Sequence, residues 1–194
     1  LKNFAGALSY YQKAEVICGN FDKAAYERMA QSASNANATE TDKVKKALFA
    51  DSLISIYNRM DEKSFFDNKN ALTRAGVYLK TTAIDRAKAD DWYTVSLKNG
   101  LQFKESHLLT YYNNLYQMYF ASKDDLKGAI KKRLINDYFV LSKVATDAAM
   151  TPKTQENLTK IFNSLIKTCD DILPDLAGFM KSLPQEKEAK IKTV

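Results

Sequence analysis

The side chains able to do acid, base or nucleophilic chemistry are few in this chain. It has one histidine, His107, and two cysteines, Cys18 and Cys169, in 194 residues. A serine or cysteine nucleophile needs a base within hydrogen-bond reach, and His107 is the only imidazole that could supply one. It stands at the start of the most apolar helical segment, a place that capping or packing explains without catalysis. No Cys-x-x-Cys occurs, so a Cys/His zinc site cannot be assembled. Paired carboxylates that could divide acid and base roles stand at Asp90-Asp91, Asp124-Asp125 and Asp170-Asp171. Each pair lies where a helix is expected to begin, and there it favours the positive N-terminal end. Neither G-x-G-x-x-G nor G-x-x-x-x-G-K is present, and no EF-hand spacing is present. The expectation is a non-enzyme with no cofactor and no metal.

The aromatic residues are the other candidates for function. The chain holds eleven tyrosines and ten phenylalanines. Tyrosine supplies contact area at low entropic cost, so Tyr10, Tyr11, Tyr111, Tyr112, Tyr116 and Tyr119 are candidates to line a concave groove for a protein or peptide. The competing explanation is that tyrosines at helical spacing form a core with hydroxyls at its rim. The net charge of +6 could attract nucleic acid or an anionic surface, with Lys127, Lys131, Lys132 and Arg133 as the contact. Asp and Glu dilute each basic cluster, so solvated helix faces are the expectation and nucleic acid is not an expected partner.

The elements that must position these residues are helices. Hydrophobic residues recur at helical spacing and β-branched alternation is almost absent, which predicts an all-α chain. One helix is expected over residues 3–18, closed by Gly19, with Ala7 and Ala14 admitting a close neighbour and Phe4, Tyr10 and Tyr11 filling the gap. A second covers residues 22–32, and residues 34–41 read as a loop. The third starts at Thr41 or Asp42 and carries Phe49, Leu53, Ile56 and Met60 on one face. Residues 61–70 read as a connection or a short turn of helix, with Phe65 and Phe66 as a plug. A helix over residues 71–87 follows, where Gly76 suggests a close crossing, and then a short one capped by Asp90 or Asp91. Residues 106–121 are apolar nearly all round, which requires cover on several sides. A long helix runs from Asp124 to about Met150, and another from Pro152 to Cys169. Further helical segments follow over 170–183 and 186–194. Nine or ten helices in antiparallel hairpins are expected. Both cysteines are expected as buried thiols, with a disulfide as the alternative in an oxidising compartment. No stretch approaches the ~20 apolar residues that span a bilayer.

Residues 3–14, Asn-Phe-Ala-Gly-Ala-Leu-Ser-Tyr-Tyr-Gln-Lys-Ala, are similar to the second helix of a tetratricopeptide repeat. Residues 51–59, 134–142 and 167–172, in that order, extend the likeness. The chain resembles the exported tetratricopeptide-like proteins of Bacteroidetes. That resemblance implies a degenerate TPR-like α-solenoid of stacked antiparallel hairpins, a single domain over 1–194 belonging to a longer repeat protein. It further implies export to the periplasm or outer membrane, with envelope attachment through a missing N-terminus, and a non-catalytic scaffold whose partner is a protein or peptide. The alternative is a structural or oligomerisation module whose end helices pack on neighbouring repeats or on a second copy. Around residues 19–24 the repeat turn matches, but Arg28 and Gln31 stand where an aromatic residue and an alanine belong. Asp51-Ser52-Leu53 resembles the O-glycosylation triplet of such exported proteins.

Overall fold

Four helix starts in the first half of the chain follow one rule: an Asx side chain accepts a hydrogen bond from a backbone N–H three residues on. In the computed structural model, which describes residues 3–166 and residue 168, Asn3 caps Phe4–Cys18 (α1), Asp22 caps Lys23–Thr39 (α2) and Asp42 caps Lys43–Glu62 (α3). Asp67 opens a 3-10 turn, Asn68–Asn70, that leads into Ala71–Tyr78 (α4), and Asp85 caps Arg86–Lys98 (α5). Glu105–Ala121 (α6), Asp124–Asp147 (α7) and Pro152–Leu165 (α8) follow, none with a side-chain cap. The described residues are all-α, without strands. They divide into two compact units, Leu1–Gln102 and Phe103–Val194.

In the first unit consecutive helices pack in antiparallel order. Between α3 and α4 the reversed register is plain: Asp61 and Asn58 bond to Arg74, while Asp51 bonds to Thr82 one end further along. The core joins Leu8 of α1, Tyr26, Met29 and Ala33 of α2, and Ala50, Leu53, Ile56 and Met60 of α3. In the second unit, Tyr111 and Tyr112 of α6 bond to Asp137 and Leu134 of α7, and Tyr138 and Ser142 of α7 bond to Thr159 and Gln155 of α8. Both pairings run in reverse. By contrast Glu105 and Tyr116 of α6 meet Thr151 and Ser164 of α8 in the same order, so α6 and α8 are parallel with α7 antiparallel to both. The apolar circumference of α6 is thus covered on two sides, and Leu108, Tyr111, Tyr112 and Leu115 are buried. Cover runs out toward its C-terminus, where Phe120 is exposed.

Several expectations need correction. Residues 34–39 are helix, not loop, because Ala33 and Ala36 are small enough to bury, and the Asn37 amide donates to the Lys46 carbonyl of α3. The helix expected over 71–87 ends at Tyr78. There the Thr81 hydroxyl donates to the carbonyls of Tyr78 and Ala83, and Asp51 takes both the amide and the hydroxyl of Thr82. Hydroxyl side chains that offer the backbone local partners compete with helix in this way. The cap of α5 is therefore Asp85, and Asp90 is buried inside the helix. Tyr10 does not fill the space beside α1; Leu8 does, with Tyr11 edge-on to Phe21. Cys18 is exposed, because α1 stops there and Gly19 turns away in the left-handed region. The helix expected from Pro152 to Cys169 ends at Leu165. Cys169, its pairing and the segments over 170–194 lie outside the described residues.

Gly76 does not mark a tight crossing either. A methyl group there would meet only the Tyr93 hydroxyl, at 3.9 Å, an ordinary contact. Gly76→Ala is therefore expected to stabilise the protein by about 0.5–1 kcal/mol through helix propensity alone. Thermal melting checks this, and a lower Tm would mean that α4 needs the missing side chain after all.

Candidate functional site

The described residues offer no assembled catalytic group. His107 is half-buried in the first turn of α6, and no cluster of three His, Cys, Asp or Glu side chains suited to a metal ion occurs among them. No helix among the described residues is long and apolar enough to cross a membrane. The Ser52 hydroxyl donates back to the Leu48 carbonyl inside α3.

The six tyrosines singled out by sequence have different situations. Tyr10 and Tyr11 belong to the first unit and the other four to the second. Tyr10 is 76% exposed, whereas Tyr111 and Tyr112 are fully buried. The Tyr111 hydroxyl donates to Asp137 and accepts from Arg133 at 2.9 Å, and the Tyr112 hydroxyl donates to the Leu134 carbonyl at 3.0 Å. Tyr116 is half-buried and accepts from Ser164, and it packs edge-on against Phe120. Tyr119 is half-buried and also packs edge-on against Phe120. Tyr111 and Tyr112 thus spend their polar ends on internal bonds, while Tyr10 remains open to a partner.

The first unit contains a cleft of about 330 Å³ that periodicity did not single out. One wall is a face of α2 carrying Glu27, Gln31 and Ser34. The opposite wall is the 3-10 turn and the start of α4, with Lys69, Asn70 and Thr73. Ala30, Tyr57 and Met60 form the floor, and each is buried. Tyr57 is 5% exposed. Its ring packs edge-on against Phe66 and lies beside the Arg74 guanidinium, yet its hydroxyl makes no hydrogen bond among the described residues. The hydroxyl oxygen is not among the buried polar atoms left without a partner, so it is a donor open to water in the cleft. Burial pushes its pKa up to about 12, which keeps the proton on at neutral pH. Ser34, Asn70 and Thr73 also have uncommitted side chains, while Gln31 uses its amide nitrogen on Asn35. Lys69 pairs with Asp67 at 3.0 Å, and hydrogen bonding to that carboxylate, with Glu27 nearby, raises its pKa.

Behind the floor, Arg74 is 3% exposed and stacks on Trp92 and Phe66 at 4.1 and 4.6 Å. Its guanidinium donates to Asp61 at 2.6 Å and Asn58 at 2.7 Å. This box fixes the ring of Tyr57 from below. On the far side of α2, Tyr26 donates to Glu15, which also pairs with Arg59 at 3.1 Å. Sequence reasoning missed both networks, since their members are far apart along the chain. The signal that pointed nearest to them was the Phe65-Phe66 plug.

Burial raises the pKa of Tyr26, Tyr57, Tyr93, Tyr111 and Tyr112 alike, with desolvation the largest cause in each. The folded state therefore favours the neutral phenols. Their contribution to stability is complete below the ordinary value of 10 and is lost as pH rises through 10 toward the folded values. Tm is expected to hold up to pH 9 or so and then to fall steeply, together with a rise in phenolate absorbance. Phenolate absorbance that rose with Tm unchanged would contradict it.

Compared with protein-family models, with curated proteins and with solved structures, the chain matches none.

Proposed function

We propose that this chain is a non-catalytic helical scaffold that binds a protein or peptide. The observation that carries the reading is the cleft between α2 and the start of α4, where buried Ala30, Tyr57 and Met60 lie beneath the uncommitted side chains of Ser34, Asn70 and Thr73, with Glu27 and Lys69 also in its walls. Small-molecule and peptide sites combine these features. The resemblance of residues 3–14 and 51–59 supports a tetratricopeptide-like, degenerate solenoid plan, and with it an exported protein of the cell envelope. The test is affinity capture from a cell-envelope extract on the 1–194 chain, washed at low and high salt, followed by competition with short peptides from the captured protein. One protein retained at high salt and released by such a peptide supports the scaffold. Acidic material or nucleic acid that leaves with salt would instead assign binding to Lys127, Lys131, Lys132 and Arg133.

A second reading, assembly with another copy or a neighbouring repeat, is favoured by the outer side of α1. There Tyr10, Val16 and Ile17 are 76%, 86% and 82% exposed. Apolar side chains grouped in the open in this way mark contact surfaces. Sedimentation over a concentration range separates the two: a species that stays monomeric at the highest concentration removes self-assembly.

A further inference from the structure

In the second unit the parallel helices α6 and α8 start at the same end and meet there through one carboxylate. Glu105, the first residue of α6, bonds to a residue forty-six positions away. Its Oε1 accepts from the Thr151 backbone N–H at 2.6 Å and its Oε2 from the Thr151 hydroxyl at 3.2 Å. The Thr154 hydroxyl, in the first turn of α8, also donates to it. Thr154 is buried, and the Thr151 hydroxyl stands 3.4 Å from its own. Neither α6 nor α8 has a side-chain cap from its own cap residue, and α8 has no acidic residue in its first turn. One carboxylate therefore serves the positive ends of two helices at once. The connection that it holds also carries strain, because Ala149 lies at φ 49°, a left-handed conformation unfavourable for alanine.

We propose that Glu105 is a proton-operated clasp: ionised, it pins the start of α8 to the start of α6, and protonated, it lets the first turn of α8 open while the rest of the second unit stays folded. An ionised carboxylate accepts at both oxygens, and such charge-assisted bonds are roughly twice as strong as neutral ones. A protonated one turns one of its oxygens into a donor, facing groups that themselves donate. The hydrogen bonds from Thr151 and Thr154 hold the Glu105 carboxyl below its ordinary value of 4.5. The clasp is thus complete above 4.5 and is lost as pH falls from there through the lower folded value. Of the charged groups on the surrounding elements, Lys104 and His107 stand beside it on its own segment, Asp147 at the end of α7, and Lys153 and Glu156 at the start of α8. Asp147 pairs with Lys143, and Lys104, Lys153 and Glu156 are exposed.

The test follows backbone amide exchange, residue by residue, on the full 1–194 chain from pH 7 down to about pH 3. The wild type is compared with Glu105→Gln, which keeps the side-chain length but only a neutral acceptor, and with Glu156→Gln, which removes an exposed carboxylate of the same helix. In the wild type the Thr151 and Thr154 amides should lose about tenfold in protection as the clasp protonates, the size of one bond to a charged group. Leu141, inside α7, should keep its protection over the same range. Glu105→Gln should show the lower protection already at pH 7, and Glu156→Gln should match the wild type. Equal protection of Thr151 and Thr154 in Glu105→Gln and wild type at pH 7 would overturn the clasp. A fall shared by Leu141 in Glu105→Gln at pH 7 would show a group that stabilises the whole unit, and would overturn the local opening. A loss at Thr151 on acidification that persists in Glu105→Gln would move the proton to another group, such as His107 or Asp147, and overturn the assignment to Glu105.

Discussion

Arg74→Ala is expected to destabilise the protein by about 3 kcal/mol or more, the largest loss from any charged side chain in the first unit. The reason lies in packing more than in charge. The guanidinium packs against both the Trp92 and Phe66 rings, which touch each other at 5.2 Å, with Tyr57 at 5.8 Å, and so joins α3, α4 and α5. Alanine leaves the space beside those rings empty. Asp61 is 43% exposed on its side chain, so its carboxylate returns to water when the arginine goes, and Asp61→Asn should cost no more than about 1 kcal/mol. Arg74→Met retains the stem and fills most of the gap, so it should lose much less than the alanine variant. Arg74→Lys should fare worse than methionine, because an ammonium cannot stack on a ring and donate along a planar fork together. Denaturant unfolding of the four variants ranks them. An alanine variant no worse than Asp61→Asn would show that the aromatic box repacks and that the account is mistaken.

Tyr112→Ala should unfold the second unit or destabilise it by about 3–5 kcal/mol, as expected for loss of a large ring from a closed core. Tyr112 is 0% exposed, and its ring lies where α6 meets α7. The hydroxyl is a smaller part of this. Tyr112→Phe removes one bond to the Leu134 carbonyl, a backbone acceptor within α7, so about 1 kcal/mol is the expected cost. The contrast with Tyr57 is informative. Phenylalanine at 112 removes a donor bonded inside the protein and lowers Tm; at 57 it removes one with no protein partner that is open to water, and does not. Melting curves of the two phenylalanine variants side by side test that distinction, and equal losses would mean that the Tyr57 hydroxyl has a structural partner.

Much of the architecture was legible from local signals. Gly19 in the left-handed region, Asn3, Asp42, Asp124-Asp125 and Pro152 mark helix ends where the structure has them. Of the stripe Phe49, Leu53, Ile56 and Met60, the last three are buried as their spacing implies and Phe49 is half-buried. Errors occurred where a distant side chain outweighed a local preference. A Ser/Asn/Ala-rich run reads as loop until Asn37 reaches Lys46, and a good helix pattern over 71–87 breaks once Asp51, thirty-one residues away, captures Thr82. Asp90 looked like a cap and is a buried side chain. The tyrosines separated along the same line: identical residue type and spacing put Tyr10 in solvent and Tyr112 in a core.

By itself the sequence determined the helical class, most helix ends and the stripes that face inward, because capping, chain stiffness and periodic burial act over a few residues. Only the tertiary structure decided which polar groups remain unspent. Whether the Tyr57 hydroxyl, the Asn70 amide or the Asp61 carboxylate has a partner depends on what other helices bring to within about 3 Å. Nothing within a few residues of any of them carries that information.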